Sequence, residues 1–452
     1  MKKKQIALLL ALVMCLSLFA GCGGGSASQT GTSAPAPEKS TTSEPASNST
    51  PAPASDVTLE IQVAWADESA NKFQAIMDDF TAETGIKTEI IWTGRDQEQE
   101  TQLKIKMASN DLPDVWWTHG WAVMRYKDFL MDLSKEPWVS DVSDAAMGVI
   151  SDDDGVWALP VSISLSCIIY NQDVLDKAGV QWDSMLTWAK FEEACEKVKA
   201  AGYAPLIVGG KDSGNVGGLV NSLSLGIYGP EDSPEHHYLA QFIDGTVDVN
   251  EAFSPVLDRM LKWKELGYYN TDILTLDTVG MQQGIGGGTA AFCSRQSNHM
   301  GAALTYYPDA NLSLIPYPAM EEGGKLSCAV GEGTCFGAWK DTEHPAEVKQ
   351  LLEWMARPEN ASRFLEFDGN TAGMKSTPDS SVCYQAYQKM VDTFGAENIY
   401  FDNMFDRQYL PSGMWNVISE GGCMLLNGTP KAEVGSYMDE NFHVLYEEAH
   451  SK

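Results

Sequence analysis

Residues 58–117 read TLEIQVAWADESANKFQAIMDDFTAETGIKTEIIWTGRDQEQETQLKIKMASNDLPDVWW and carry the pattern that determines the fold. Apolar side chains alternate over residues 58–65, which predicts a strand. They then recur at helical spacing from Ala70 to Phe80, and Gly85 is a typical helix stop. A second strand and a second helix follow, and a third strand begins with DVWW. This alternation predicts a parallel α/β sheet.

The ends of these three strands carry the first candidate ligand-binding residues. Open α/β sheets bind their ligands at the C-terminal ends of the parallel strands. Trp65, Asp67 and Glu68 follow the first strand, and residues 92–95 follow the second. Residues 118–121 follow the third. We therefore expect these segments to converge on one edge of the sheet.

The segment DLPDVWWTHGW (111–121) divides into two parts. Trp116 and Trp117 lie within the predicted strand, and both faces of a parallel sheet are covered by helices, so we expect them in the core. The residues past the strand end are candidates for ligand contact: Thr118, His119 and Trp121. On this interpretation, replacing Trp121 weakens ligand binding without unfolding the protein, whereas replacing Trp117 destabilises it.

The N-terminus is typical of a secretory signal. A basic start at residues 2–4 precedes the apolar run IALLLALVMCLSLFA, which is too short to span a bilayer. The stretch FAGC (19–22) resembles the lipobox of bacterial lipoproteins, which implies that residues 1–21 are removed and that Cys22 is lipidated. Residues 22–56 contain almost no large apolar side chains and should form a disordered tether. We expect a lipid-anchored protein on the extracellular face of the bacterial cell membrane; the alternative is ordinary secretion with Cys22 unmodified.

The composition excludes several classes of function. The formal net charge is −31 and no basic stripe is present, so nucleic-acid binding is not expected. Beyond Cys22 the cysteines form no CxxC pair, and the histidines are dispersed, which argues against a zinc site or a disulfide framework. Whether any two cysteines pair stays open. The glycine-rich stretch 209–218 lacks the spacing of a phosphate-binding loop. We expect no metal and no cofactor.

Residues 154–179, DGVWALPVSISLSCIIYNQDVLDKAG, resemble the extracellular solute-binding proteins, family 1, of carbohydrate ABC transporters, the group that includes maltose-binding protein. The shared features are a Gly-x-aromatic-x-Leu-Pro segment, Tyr-Asn, a Lys-Ala-Gly helix end and Thr-Trp, at 155–160, 170–171, 177–179 and 187–188. Further matching segments are FTAETGIK (80–87), LPDV (112–115), GTAAF (288–292), HPAEVKQLLEWM (344–355) and NGTPKAEV (427–434). The resemblance covers residues 57 to about 445.

This resemblance implies an α/β fold of two lobes joined by a hinge, the type II periplasmic-binding-protein-like fold, with the ligand cleft between the lobes. The implied boundaries are 57–164 plus 296–356 for lobe one, and 165–295 plus 357–452 for lobe two. The implied crossings lie near residues 162–166, 292–296 and 355–359. It also implies a monomer that is not an enzyme. Such a protein captures a sugar or oligosaccharide and delivers it to the permease of an ABC transporter.

Positions in the family pattern add candidate ligand-binding residues. The three residues past the third strand align with positions that line the cleft. Ser164, at the hinge, matches a position where some relatives carry an acidic sugar ligand, and Asn298 stands where many relatives place a stacking tryptophan. Trp415 matches a C-terminal tryptophan that stacks on sugar. The other candidates are polar: Lys211, Asp212, Asn215, Arg295, Gln296, Glu332 and Arg407.

These residue types suit a sugar, because an aromatic ring packs on its C–H face while carboxylate, amide and guanidinium groups bind its hydroxyls. Two alternatives stay open. A secreted glycoside hydrolase would need two catalytic carboxylates, but the sequence offers no pair in a recognisable catalytic context, and no catalytic residue is assigned. A polyamine-binding protein would suit the acidic net charge.

Overall fold

The computed structural model describes residues 55–94, 96–181, 186–368 and 370–451. The predicted signal peptide at 1–21, the predicted lipidation site at Cys22 and the linker up to residue 54 lie outside the described residues. Within the described ranges, no helix is both long enough and apolar enough to cross a bilayer.

The strands, in chain order, are β1 Thr58–Val63, β2 Lys87–Trp92, β3 Val115–His119, β4 Ser151–Asp152, β5 Gly155–Val156, β6 Ala158–Pro160, β7 Ser162–Ile163, β8 Leu165–Asn171, β9 Ala204–Leu206, β10 Ala290–Gln296, β11 Leu312–Ile315, β12 Leu326–Val330, β13 Thr334–Ala338, β14 Thr371–Ala372 and β15 Ile399–Asp402.

The α-helices are α1 Asp67–Thr84, α2 Asp96–Ser109, α3 Gly120–Tyr126, α4 Asp144–Ile150, α5 Gln172–Ala178, α6 Trp188–Ala200, α7 Ser213–Tyr228, α8 Tyr238–Asp244, α9 Val249–Ala252, α10 Ser254–Glu265, α11 Thr278–Gly286, α12 Asn298–Tyr306, α13 Pro345–Ala356, α14 Pro358–Asp368, α15 Val382–Phe394, α16 Phe405–Tyr409, α17 Met414–Asn427 and α18 Lys431–His450. Short 3₁₀ helices lie at Lys127–Phe129, Pro137–Asp141 and Ala396–Asn398.

The first sheet confirms the order of strand and helix predicted for the start of the body. Its strands lie in the order β2-β1-β3-β13-β6, and β1 runs parallel to both β2 and β3. α1 covers one face, because its Phe73 ring stacks on Phe336 of β13 with centroids 6.0 Å apart. The C-terminal ends of β1, β2 and β3 therefore share one edge, and antiparallel β13 begins at the same edge with Thr334 opposite His119.

The second sheet has β8 at its centre. The strands lie in the order β15-β12-β8-β10-β9, and β11 also pairs with β8. β8 runs antiparallel to β10, β11 and β12, and every residue of this strand is buried. Both faces of β8 are therefore covered by other parts of the protein.

Strand pairing corrects the implied boundary at residue 296. That boundary placed residues 296–356 in lobe one, but β11 and β12 pair with β8 in the second sheet. The chain returns to the first sheet only at residues 331–333, between β12 and β13. The implied crossing near 292–296 is corrected in the same way. Pairing between distant segments leaves no local signal in the sequence, which is why the boundary was misplaced.

Helix α14 gives a second correction. Residues from 357 onward were assigned to lobe two, with a crossing near 355–359. In the structure, Phe364 of α14 packs against Phe73 and Phe336 of the first sheet, with ring centroids 6.2 and 5.7 Å apart. The chain therefore stays with the first sheet through α14 and reaches the second sheet at α15, whose Lys389 Nζ lies 5.7 Å from the ring centroid of Tyr170 on β8.

Two crossings lie against each other at the junction of the sheets. The chain leaves β6 at Pro160 and enters β8 at Leu165, while 331–333 runs back from β12 to β13. A Cβ on Gly333 would overlap the carbonyl oxygen of Ser162, so only glycine fits this close approach. Gly331 adopts a φ of 125°, which side chains disfavour. The junction therefore depends on residues without side chains.

The cysteines of the described chain are mostly buried. Cys167 on β8 faces Cys328 on β12, and the Sγ atoms of these two free thiols are 2.9 Å apart. Burial raises the pKa of the Cys328 thiol well above its usual value, so this thiol stays protonated at neutral pH.

Candidate functional site

Several predicted site residues meet at one edge of the first sheet. Trp65 follows β1, His119 ends β3 and Glu332 precedes β13, and all three are half-buried. Arg407 of α16 and Trp415 of α17 reach the same region from helices that follow the second sheet in the chain. Several of the predicted site residues therefore lie at the sheet edge that the strand order predicted.

Trp116 and Trp117 are core residues, as predicted. Trp116 is fully buried and Trp117 is 5% exposed. The Nε1 atom of Trp117 donates to Oγ1 of Thr334 at 3.2 Å across the β3–β13 pair. Its ring centroid lies 6.0 Å from that of Trp65 and 4.7 Å from that of His119. Trp117 thus forms the floor beneath the half-buried residues at this edge.

Trp121, a candidate for ligand contact past the strand end, is buried, and its contact with a ligand stays a prediction. Only 4% of its surface is exposed. Helix α3 starts at Gly120, directly after β3, and the Trp121 backbone N–H donates to the carbonyl oxygen of Gly331 at 3.0 Å. The ring stacks on His119 with centroids 5.5 Å apart, and the Arg407 Cζ atom lies 4.1 Å from its centroid. Its main contribution is therefore packing at the junction of the sheets.

Arg407 connects Trp121 to Trp415. Its Cζ atom lies 4.1 Å from the Trp121 ring centroid and 5.7 Å from that of Trp415. A guanidinium placed between indoles makes cation–π contacts. Its Nε lies 3.4 Å from Oδ2 of Asp406, a buried carboxylate that also accepts from Nδ2 of Asn221 at 2.8 Å. Burial raises the pKa of Asp406, and the Arg407 charge opposes that shift.

Arg295 supplies a second guanidinium. Its Nη1 donates to the carbonyl oxygen of Gly214 at 3.2 Å, and its Nη2 lies 3.0 Å from Nε2 of His299. Because a guanidinium only donates, His299 must accept at Nε2 and be neutral. Burial, followed by the charge of Arg295, lowers the pKa of His299 to about 3, in agreement with that assignment. Burial also lowers the pKa of Arg295, and the nearby negative charge of Glu332 opposes this shift.

Trp415 is the half-buried indole of this group. It lies in the first turn of α17, and a Cβ built on Gly214 would be 3.6 Å from its ring. Gly214 also accepts the hydrogen bond from Arg295, so the first turn of α7 contacts both side chains. The following residues form what we call the arginine–tryptophan cluster: Trp121, Arg295, Glu332, Arg407 and Trp415.

Lys211 and Asp212 lie in a separate network. Lys211 pairs with Asp277 at 3.4 Å. The Asp212 carboxylate accepts from the backbone N–H of Thr278 at 2.8 Å and from its hydroxyl at 2.7 Å, and these hydrogen bonds lower its pKa. Both candidates are exposed and hold the loop before α7 to the start of α11. The structure explains them without a ligand.

The remaining candidate ligand-binding residues differ in solvent exposure. Asp67, Glu68 and Asn298 are exposed, and Glu68 pairs with Lys72 one helical turn away at 3.2 Å. Thr118 is buried, and its Oγ1 donates to the carbonyl oxygen of His119 at 3.3 Å. Ser164 is 2% exposed, and its Oγ has no hydrogen-bond partner within the described residues.

Three residues at the site were not among the sequence-predicted candidates. Arg125 donates from Nη2 to the carbonyl oxygen of Arg407 at 3.4 Å, and its Cζ lies 5.2 Å from the Trp121 ring centroid. Asp406 and His299 position the two arginines. Two of them had a local signal, because His299 follows the candidate Asn298 directly and Asp406 precedes the candidate Arg407 directly. Arg125 carries no pattern that separates it from a surface charge.

The two sheets, their helices and the glycine-lined crossings between them define a two-lobe α/β solute-binding fold. The sequence profile of the bacterial extracellular solute-binding proteins matches residues 66–362. The chain belongs to this family. The matched residues include strands of both sheets, from β2 to β13, and the junction at residues 161–164 and 331–333.

Individual relatives agree with the family assignment. The melibiose/raffinose/stachyose-binding protein MelE of Bacillus subtilis (strain 168) is 26% identical over 328 residues, which is 72% of this chain and 74% of MelE. A sugar transporter from Bacillus licheniformis, solved in complex with stachyose, is 29% identical with a TM-score of 0.69, covering 86% of this chain and 100% of that one. The binding protein MsmE of Bacillus subtilis, solved in an open conformation, has a TM-score of 0.78 at 24% identity, covering 87% of this chain and 98% of that one.

Proposed function

We propose that this protein is an extracellular receptor that captures a sugar or oligosaccharide as a monomer and delivers it to the permease of an ABC transporter. The observation that carries this proposal is the arginine–tryptophan cluster, in which the Arg407 guanidinium lies 5.7 Å from the half-buried Trp415 ring and Gly214 contacts both that ring and Arg295. The binding of sugars by MelE and by the Bacillus licheniformis protein supports it.

The chemistry of this cluster suits a neutral polyhydroxylated ligand. The Trp415 ring offers an apolar face for C–H groups, and Arg295 and Glu332 offer donors and acceptors for hydroxyls. Each charge has an opposite charge nearby, since Arg407 pairs with Asp406 and Glu332 acts on Arg295. A neutral ligand can therefore bind without leaving a charge unpaired.

Ligand capture would work by closing the two lobes. The proposed hinge comprises residues 161–164, 331–333 and 373–381, the last of which lie between β14 and α15. The arginine–tryptophan cluster contains residues from both lobes. A ligand that contacts all residues of the cluster therefore binds the closed form more tightly than the open form. It then shifts the population toward that form.

A sugar titration tests the proposal. Isothermal titration with melibiose, raffinose and stachyose should give heat with at least one of them, together with a change in tryptophan fluorescence because Trp415 is partly accessible. Titration with spermidine serves as the contrasting ligand. Heat with spermidine and none with any sugar would contradict the proposal.

The alternatives receive less support from the site. A polyamine would meet the positive charges of Arg295, Arg407 and Arg125, which repel a cation. A glycoside hydrolase needs two carboxylates that reach the substrate, and Asp406 is instead buried and hydrogen-bonded to Asn221.

The membrane anchor rests on the sequence alone. We infer that residues 1–21 are removed and that Cys22 carries a lipid that holds the protein on the extracellular face of the membrane. Expression with radiolabelled palmitate should label the native protein and leave Cys22→Ser unlabelled. If both forms are labelled equally, or if neither is labelled, the proposed lipid anchor is contradicted. The sugar-binding proposal is unaffected by either result.

A further inference from the structure

Two buried thiols face each other in the second sheet. Cys167 of β8 and Cys328 of β12 are both fully buried, and their Sγ atoms lie 2.9 Å apart. The Cys328 thiol also donates to the carbonyl oxygen of Ser166 at 3.4 Å. The sulfur atoms of a disulfide are about 2.0 Å apart, so a shift of about 0.9 Å is enough to join this pair.

The pairing of the two strands gives the backbone the separation that a disulfide needs. β12 runs antiparallel to β8, with Ala329 opposite Ser166. The same register, continued by one residue, sets Cys328 opposite Cys167. Opposite residues of an antiparallel pair have Cα atoms about 4.5–5.5 Å apart and side chains on one face of the sheet. Disulfides span Cα separations of about 4.4–6.8 Å, so the bond fits without a change of strand register.

The compartment of the protein supplies the chemistry for this bond. The chain belongs to a family of extracellular proteins, and disulfides form and persist outside the reducing cytosol. In the reaction, the two S–H bonds of the thiols break and one S–S bond forms between them. A small organic disulfide, or the disulfide of an oxidoreductase, takes up both electrons and both protons and leaves as two thiols.

Burial determines when this reaction takes place. The thiolate is the form of cysteine that attacks a disulfide, and burial keeps the pKa of the Cys328 thiol well above its usual value. In the folded protein the two thiols are therefore unreactive, and a bond between them is out of reach of reductants. The bond has to form during folding, while β12 docks on β8 and the thiols still contact solvent.

We propose that Cys167 and Cys328 form a disulfide bond in the exported protein. The two cysteines are 161 residues apart in the chain, and the loop that the bond closes contains β9, β10 and β11 of the second sheet. Closing so long a loop restricts the unfolded chain and stabilises the folded one. The bond also joins the two strands that lead into the crossings at 161–164 and 331–333. This inference does not depend on the identity of the ligand.

Peptide mapping of the exported full-length protein without reduction tests the bond directly. The protein is unfolded in the presence of an alkylating reagent, which caps every free thiol before it can exchange, and is then digested. Mass spectrometry should find the peptide that contains Cys167 joined to the peptide that contains Cys328 as the main form of both. Recovery of the two peptides separately, each with an alkylated cysteine, would overturn the inference.

Refolding under controlled redox conditions measures the effect on stability. Wild type refolded with oxidised glutathione should melt roughly 5–10 °C higher than wild type refolded with reduced glutathione, and Cys167→Ala should lose this difference. Cys293→Ala is the matched control and should keep it, because Cys293 of β10 is also buried but lies opposite Ile169 of β8. A difference that survives in Cys167→Ala would belong to another pair of cysteines and contradict the assignment.

Discussion

Replacing Trp121 with alanine should lower the free energy of unfolding by about 3–5 kcal/mol, as much as replacing Trp117. Trp121 is 4% exposed and its ring is enclosed by His119 and Arg407. Alanine would leave a cavity at the junction of the sheets and remove the cation–π partner of Arg407. Denaturant titration of the two alanine variants and of wild type measures both effects.

Trp121→Phe is the matched control for this prediction. Phenylalanine keeps an aromatic ring beside Arg407 and removes the indole N–H, which has no hydrogen-bond partner within the described residues. An unpaired buried donor costs about 1–3 kcal/mol, so its removal should offset much of the lost packing. A Trp121→Ala variant as stable as wild type, with only its sugar affinity reduced, would restore the interpretation made from the sequence.

The correct part of the sequence prediction concerns local periodicity. The alternation over residues 58–65 and the helical spacing from Ala70 to Phe80 identified β1 and α1, since the spacing of apolar residues reflects one covered face. Trp116 and Trp117 were predicted in the core for the same reason. Each of these inferences needed only neighbours within a few residues in the chain.

The corrected parts depend on contacts between distant segments. Arg407 covers Trp121 from almost three hundred residues away in the chain, so no local pattern marks Trp121 as enclosed. The pairing of β11 and β12 with β8 is likewise nonlocal. The contacts of Lys211 and Asp212 with the start of α11 are also nonlocal, and their contact with a ligand stays a prediction.

Replacing Trp415 with alanine should weaken sugar binding by about 2 kcal/mol, roughly thirtyfold, while the free energy of unfolding falls by no more than about 1 kcal/mol. Trp415 is half-buried, in contrast to Trp121, so less of its surface supports the core. Its ring lies beside the Arg407 guanidinium and against Gly214, where a sugar face can pack. Isothermal titration with raffinose or stachyose, alongside denaturant titration, measures the two quantities separately.

Trp415→Phe distinguishes a stacking role from a general effect of truncation. A phenyl ring keeps an apolar face next to Arg407, so this variant should retain most of the affinity. If both variants lose affinity to the same extent, the indole N–H rather than the ring face makes the contact. If neither loses affinity while wild type binds sugar, the ligand lies elsewhere along the sheet edge, and Trp65 and Trp92 become the first residues to replace.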